Sequence, residues 1–320
     1  MTNMGLPEKF ISCDWGTSNF RLRLVDTHSL KVLSEYRTDL GIKKCYRLFK
    51  QQKELSRQVF FADYLLAQLE RLGLNGEGNY PLVASGMLSS SIGMQELDYC
   101  TLPITFSGED LISRSIVLGR NLNLLLISGA RTDNDVMRGE ETQAIGLSDY
   151  LPKSGKGMLL LPGTHSKHIQ FNNGRFMDFT TYMTGELFEL IGKHSILSVT
   201  MEEVPWEPLY ENIFMDGVKK GAANQHMATF FSIRANSLIH KASPAENYYF
   251  LSGLLIGAEL SYLKGNSETV YLAVTGIQNS LYTMALKSLM PKDQLVCFEP
   301  QIIESALLAG QRKILETYVK

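Results

Sequence analysis

The alternation of apolar and polar positions takes the same form at two places about half a chain apart. Residues 9–26 read as strand, turn, strand, and "KVLSEYRT" (31–38) predicts a third strand after a short polar turn. Residues 158–184 do the same. "MLLLPG" runs into a glycine, "KHIQF" restarts at once, and "NNG" (172–174) signals a hairpin into "RFMDFTTYMT". Gly16-Thr17 occupies the first tip and Gly163-Thr164 the matching place in the second. Between the blocks, Phe61, Leu65, Leu69 and Leu72 share one face of a helix over 58–72, with Gly73 as its stop. The apolar runs "YPLVASG" (80–86) and "LNLLLISG" (122–129) suit central strands. Beyond the second block the pattern predicts a helix capped by Thr184 and a helix at 248–264 that is apolar all round. Strands at 269–276 and 294–299 flank a further helix, "NSLYTMALKSL", and a terminal helix carries Ala306, Ala309 and Gly310. The sum is an α/β chain of two related halves, each opening with an antiparallel hairpin.

Composition narrows the function classes. With 320 residues, 44% of them hydrophobic, the chain has room for two domains of about 150 residues each. A net charge of −2 offers no basic footprint, so no nucleic-acid partner is expected. The longest apolar stretch, "YYFLSGLLIGAELSYL", contains Glu259 and falls short of a membrane span; a buried helix and no membrane partner are expected. Cys13, Cys45, Cys100 and Cys297 are far apart and form no C-x-x-C, which reads as reduced, mostly buried thiols in a cytoplasmic protein. The N-terminal "MTNMGLPEKF" carries no apolar leader, so no signal peptide is expected.

The two tips carry the candidate chemistry. A phosphate chain needs backbone N–H donors at close range and hydroxyl donors that do not repel it. Gly16, Thr17 and Ser18 supply both, as do Gly163, Thr164, His165 and Ser166. Asp14 cannot touch a phosphate, but it can hold Mg²⁺, usually through water. The second tip has Pro162 in place of an acid, so the metal role falls to Asp14 alone. No G-x-x-x-x-G-K-[ST] and no helix-opening G-x-G-x-x-G is present, which argues against a P-loop enzyme and a Rossmann dehydrogenase. Gly276 ends a strand just before a helix, where an adenosine could lie. Gly253, Gly257 and Ser261 form a small-residue stripe, which suits either a nucleotide or close helix packing. A phosphoryl acceptor must also be deprotonated, and "DNDVMRGEETQAIG" (133–146) is the richest source of acids. Glu140 and Glu141 would open a helix there, with Arg138 beside them to bind a substrate carboxylate or pair with an acid. His165 and His168 would point to opposite faces of a strand, so no metal site is expected of them.

In that order, "DWGTSNFR", "SGM", "DVMRGEETQAIG", "LPGTHSKHI", "TYMTGELF" and "FLSGLLIGAEL" resemble the 2-dehydro-3-deoxygalactonokinase family, sugar-acid kinases of the actin-like ATPase superfamily. The motifs span roughly residues 10–310. The resemblance implies two ribonuclease-H-like domains, 1–130 plus 306–320 and 131–305, with ATP in the cleft between them. Asp14 to Ser18 would be the first phosphate motif, and Gly163 to Ser166 the second. Gly276 would belong to the adenosine motif, and the terminal helix would pack back on the first domain. Glu141 would be the general base, with Glu140 and Asp135 as alternatives. Ser85, Gly86 and Met87 would open the substrate loop, and Arg21, Arg138 and Glu140 would complete the substrate contacts. The implied reaction moves the γ-phosphoryl of ATP, with Mg²⁺, to the 6-hydroxyl of 2-dehydro-3-deoxy-D-galactonate or a related sugar acid. A homodimer is compatible with this reading. The loop departs from the family pattern: Ser91 stands where an arginine is expected and Met94 where a tryptophan is. A non-catalytic nucleotide-binding sensor of the same fold is the alternative, which the intact Asp14 and Glu141 weigh against.

Overall fold

The computed structural model describes residues 5–74, 80–119 and 122–319; the first four residues of the N-terminal segment read above lie outside them. The chain forms two units. Unit 1 comprises the described residues up to Gly155, the segment Asn172–Asp178 and the chain from Gln301 onward. Unit 2 comprises Lys156–Phe171 and Phe179–Pro300. Residues 131–155, assigned by the sequence reading to the second domain, therefore lie in unit 1, where a helix among them packs on the terminal helix.

Unit 1 runs β1 (Lys9–Trp15), β2 (Phe20–Asp26), β3 (Val32–Thr38), α1 (Ile42–Gln51), α2 (Arg57–Arg71), β4 (Leu82–Gly86), β5 (Cys100–Thr101), β6 (Ile104–Thr105), β7 (Ser113–Leu118), β8 (Leu122–Ile127), β9 (Ala130–Arg131), β10 (Val136–Met137) and α3 (Glu140–Leu147). Its main sheet has the order β3-β2-β1-β4-β8-β7. β1 pairs antiparallel with β2 and parallel with β4, which pairs parallel with β8. Trp15, Phe20 and Phe61 are fully buried and pack edge to face, and the Trp15 indole N–H donates to the Leu40 carbonyl at 3.1 Å.

Unit 2 runs β11 (Lys156–Leu161), β12 (Ser166–Asn172) as far as Phe171, β13 (Arg175–Tyr182) from Phe179 onward, α4 (Thr184–His194), α5 (Glu211–Ala222), α6 (His226–Ile239), α7 (Pro244–Leu260), β14 (Val270–Leu272), α8 (Gly276–Leu289) and β15 (Leu295–Cys297). The order β13-β12-β11-β14-β15 repeats that of β3-β2-β1-β4-β8. This is the ribonuclease-H-like strand order, and it occurs once in each half. Helix α4 starts on Thr184, with Met183 rather than Thr184 at its cap. Helix α7 starts earlier than its apolar run, because Ser243 at its cap and Glu246 in its first turn form a capping box around Pro244. Among the described residues no helix is long and apolar enough to cross a membrane. Cys13 and Cys45 are buried, whereas Cys100 is half-buried and Cys297 exposed, so burial holds for two of the four thiols.

The last helix, α9 (Pro300–Val319), returns to unit 1 and lies backbone to backbone on α3. A Cβ on Gly146 would sit 1.7 Å from the Ala306 carbonyl oxygen, and one on Gly310 would sit 1.8 Å from that of Thr142. From α9, the Gln311 amide donates to the Cys13 carbonyl on β1 at 3.2 Å and the Ser85 hydroxyl on β4 at 3.0 Å. The Lys313 ammonium donates to the Ile145 carbonyl, the Ser148 hydroxyl and Asp149 at 2.7–3.1 Å, a cation at the C-terminal end of α3. Because the blocking atoms are backbone, Gly146→Ala should cost about 3 kcal/mol or more, the upper end of overpacking. Chemical denaturation would show it, and a midpoint within error of wild type would contradict the packing.

Candidate active site

The first tip is built by β1, β2 and the start of α1. The Gly16 amide donates to the Asn19 carbonyl at 2.9 Å, closing the turn. The amides of Gly41 and Ile42 donate to the carbonyls of Ser18 and Gly16 at 3.2 and 3.0 Å. A Cβ on Gly41 would fall 2.3 Å from the Ser18 carbonyl carbon, so only glycine lets the helix seat the tip. The side chains of Thr17 and Ser18 stay exposed. Asp14 sits across the hairpin from Arg21. Burial raises its carboxyl pKa, while the guanidinium charges of Arg21 and Arg23 pull it down. Among the described residues its carboxylate accepts no hydrogen bond, although it is largely desolvated.

The second tip repeats this construction on β11, β12 and α4. The Glu186 amide donates to the Thr164 carbonyl at 3.1 Å, and a Cβ on Gly185 would lie 2.7 Å from the Gly163 oxygen and the Thr164 Cα. The His165 side chain meets the Glu186 carboxylate at 2.5 Å. Ser166 is fully buried, and its hydroxyl accepts from the Gly163 amide at 3.3 Å and lies 3.4 Å from the Tyr282 hydroxyl. It therefore supports the tip from within instead of facing a phosphate, which corrects the contact role read for it.

A cavity of about 580 Å³ in unit 2 is lined by Gly163 and Thr164 of this tip together with Phe188, Trp206, Tyr248 and Tyr249. That volume suits a nucleotide-sized ligand, and aromatic walls with one phosphate-binding loop suit a nucleoside phosphate. Glu203 also lines it, and its carboxylate and the burial of Tyr248 push the Tyr248 hydroxyl up to about 12. The Tyr249 hydroxyl fixes the loop carrying Trp206 by donating to the Val204 carbonyl at 2.7 Å. Gly276 opens α8 with φ +65°, and Ile277 and Gln278 after it line the cavity. Gly253 does not reach it. A Cβ there would lie 2.0 Å from the Phe214 oxygen, and α5 answers the α7 stripe with its own Gly217 and Gly221. The stripe serves helix packing, and the cavity face of α7 carries Ser252, Leu255 and Ile256. Sequence reasoning missed Phe188, Glu203 and Trp206; the signal was a tryptophan held between two prolines in "EEVPWEPL".

Glu141 lies in the first turn of α3 and is 0% exposed. Its carboxylate accepts from the Gly139 amide at 2.7 Å and the Thr142 hydroxyl at 3.0 Å. Burial, with the neighbouring Glu140 charge, pushes its pKa up to about 7 against the pull of these donors. The Glu140 carboxylate accepts from the Arg138 amide at 3.1 Å, and that of Asp135 from the Val136 amide at 2.7 Å in the turn between β9 and β10. A carboxyl pKa of about 7, as at Glu141, is what a base at neutral pH needs.

The substrate loop follows β4. Gly86 turns it with φ +85°, Met87 is half-buried, and the buried Ser85 hydroxyl is taken by Gln311. Arg138 departs from its expected role. Its guanidinium donates to the Ser89 carbonyl and hydroxyl at 2.7 and 2.6 Å and to the Leu97 carbonyl at 3.3 Å, and it lies 4.2 Å from the Tyr99 ring centre. With both terminal nitrogens donating to the loop, Arg138 anchors the loop, while its buried Nε has no partner among the described residues. Met94 fills the core where a tryptophan was expected, and Arg57 reaches across to the Ser91 carbonyl at 2.5 Å.

The Glu141 pKa carries a pH signature. Its folded value lies above the unfolded 4.5, so its contribution to stability is complete below about 4.5 and lost as pH rises through about 7. Glu141→Gln should therefore gain stability relative to wild type on going from pH 5 to pH 8, by at most about 3 kcal/mol. Equal differences at the two pH values, measured by thermal unfolding, would remove the shifted carboxylate from the site.

Comparisons with known proteins give the family of the chain. The sequence model of the family described as 2-keto-3-deoxy-galactonokinase matches residues 14–311. The chain is 31% identical over 289 residues to the "Probable 2-dehydro-3-deoxygalactonokinase DgoK1" of Rhizobium meliloti (strain 1021), covering 87% of this chain and 89% of that protein. It is 29% identical over 261 residues to the 2-dehydro-3-deoxygalactonokinase of Escherichia coli (strain K12), covering 80% of each. A crystal structure from Sinorhizobium meliloti given the same kinase assignment superposes with a TM-score of 0.79 at 28% identity, over 95% of this chain and 99% of that one.

Proposed function

The chain belongs to the 2-keto-3-deoxy-galactonokinase family, and on that premise we propose how its residues divide the work of phosphoryl transfer from ATP to the 6-hydroxyl of 2-dehydro-3-deoxy-D-galactonate. It is a carbohydrate kinase, a phosphotransferase with an alcohol acceptor. The observation that carries the assignment of parts is the unit 2 cavity, lined at once by the Gly163-Thr164 tip and an aromatic wall. There the aromatic side chains hold the nucleoside and the tip's backbone holds phosphate.

Unit 1 handles the acceptor. Glu141, with a pKa of about 7, takes the proton from the 6-hydroxyl as its oxygen bonds to the γ-phosphorus and the bond to the ADP oxygen breaks. The Gly16–Ser18 tip offers hydroxyl and amide donors to phosphate oxygens. Arg21, beside Asp14, neutralises anionic charge. A non-catalytic sensor has no need of a buried acid poised near neutrality.

Asp14 suits a divalent ion. Asp14 is half-buried, its carboxylate accepts no hydrogen bond from described residues, and no group of three or more metal-ligating side chains occurs among the described residues. Mg²⁺ is held in this way, by one carboxylate with waters and phosphates completing its shell. When bound, the ion would neutralise charge on the β- and γ-phosphates.

A coupled assay for ADP with 2-dehydro-3-deoxygalactonate tests the reading. Turnover absent with this compound, its gluconate epimer and related aldonates would sink it. Asp14→Asn should abolish turnover, and near-wild-type rates at saturating ATP would take the metal role from it. Glu141→Gln should lower turnover by roughly 10²–10⁴; a smaller loss, under about tenfold, would pass the role to Glu140 or Asp135.

A further inference from the structure

Behind the second tip lies a chain of polar groups, buried at Ser166, Tyr282, Glu259 and His168 and reaching the surface at Tyr262, that the assignment above leaves without a role. Glu259, near the end of α7, is 2% exposed, as is His168 on β12. The Tyr282 hydroxyl donates to Glu259 Oε2 at 2.9 Å, and His168 Nε2 lies 2.8 Å from Glu259 Oε1. His168 Nδ1 meets the Tyr262 hydroxyl at 2.6 Å, and the Tyr182 ring packs on the imidazole at 4.6 Å between centres. At the other end the Tyr282 oxygen lies 3.4 Å from the Ser166 hydroxyl, which in turn accepts from the Gly163 amide.

The chemistry of this chain is specific. A carboxylate only accepts, so each of its oxygens is matched to one donor: a phenol on one side and an imidazole on the other. Burial and the Glu259 charge hold the Tyr282 hydroxyl well above its usual pKa, so it remains a donor. An acid buried this deeply is expensive unless its partners are fixed, and an all-apolar core would fill the same space at no such cost. Tyr282 belongs to the cavity wall, whereas Glu259 and His168 do not touch the cavity.

We propose that Glu259 is a positioning residue of the nucleotide site: clamped by His168, it fixes Tyr282 in the cavity wall and, through Tyr282 and Ser166, holds the phosphate-binding tip in shape. The inference rests on the nucleotide reading of this cavity. It requires the effect of Glu259 to pass through Tyr282, because Glu259 makes no contact of its own with the cavity.

The test is a double-mutant cycle on the full chain, read by calorimetric binding of a non-hydrolysable ATP analogue and by steady-state kinetics. Tyr282→Phe keeps the ring and removes the link; Glu259→Gln keeps the shape but turns one of its two acceptor oxygens into a donor, so Tyr282 and His168 can no longer both be matched. Each should weaken nucleotide affinity roughly tenfold, as for a buried polar group left unpartnered. The double variant should be no weaker than the weaker single, since the two act as one unit. The KM for the sugar acid should not move. Tyr282→Phe binding like wild type would overturn the inference, as would losses that multiply in the double variant or fall equally on both substrates. Should Glu259→Gln fail to fold, a cycle of Tyr282→Phe with Ser166→Ala reads the same coupling. A wild-type chain that binds no ATP analogue overturns the nucleotide reading, and this inference with it; normal wild-type binding with an unaffected Tyr282→Phe overturns this inference alone.

Discussion

The contact of α3 with α9 at Gly146 and Gly310 is the constraint on which unit 1 depends. Two helices whose carbonyl oxygens replace each other's side chains cannot slide or rotate independently. The first turn of α3 carries Glu141, and α9 reaches through Gln311 to the strand that carries Asp14. The contact that seats the proposed base thus belongs to the same helix pair that braces the proposed metal ligand's strand. Next to Thr142 in this contact, the Glu141 carboxylate is desolvated and its pKa displaced upward.

The duplicated tips show how one construction serves two chemistries. In each unit a glycine at the start of a helix, Gly41 capping α1 or Gly185 in the first turn of α4, touches the tip's backbone, and amides at the helix start satisfy the tip's carbonyls. Helix amides that lack intrahelical partners would otherwise need caps. Here the tip is the cap, so the helix start and the loop stabilise each other. What precedes the tip glycine differs: Asp14 stands two residues before Gly16, and Leu161 and Pro162 stand before Gly163.

Much of this was legible in the sequence because it is local. The strand–Gly-Thr–strand repeat, the central apolar strands and the acids opening α3 are written in periodicity and turn chemistry. The helices α5 and α6 were missed because they lie between the second block and the apolar run of α7, with mixed faces and no strong caps. Gly253 left two readings open until α5 presented Gly217 and Gly221 against it. Arg138 was read as a substrate ligand since a guanidinium beside two acids invites that. Only the fold brings Ser89, Leu97 and Tyr99 around it. Trp206 and Glu203 sit on an irregular loop, where no period marks a position as facing a cavity.

Three contacts that pin the substrate loop, from Arg138 to Ser89 and Leu97 and from Arg57 to Ser91, end on main-chain carbonyl oxygens. Every residue type has such an oxygen. A loop tethered in this manner keeps its course at positions whose side chains face outward, so the exposed Ser91 can change without unfolding the site. Divergence of substrate preference among such kinases would then proceed by exchanging the loop's outward groups over an unchanged frame.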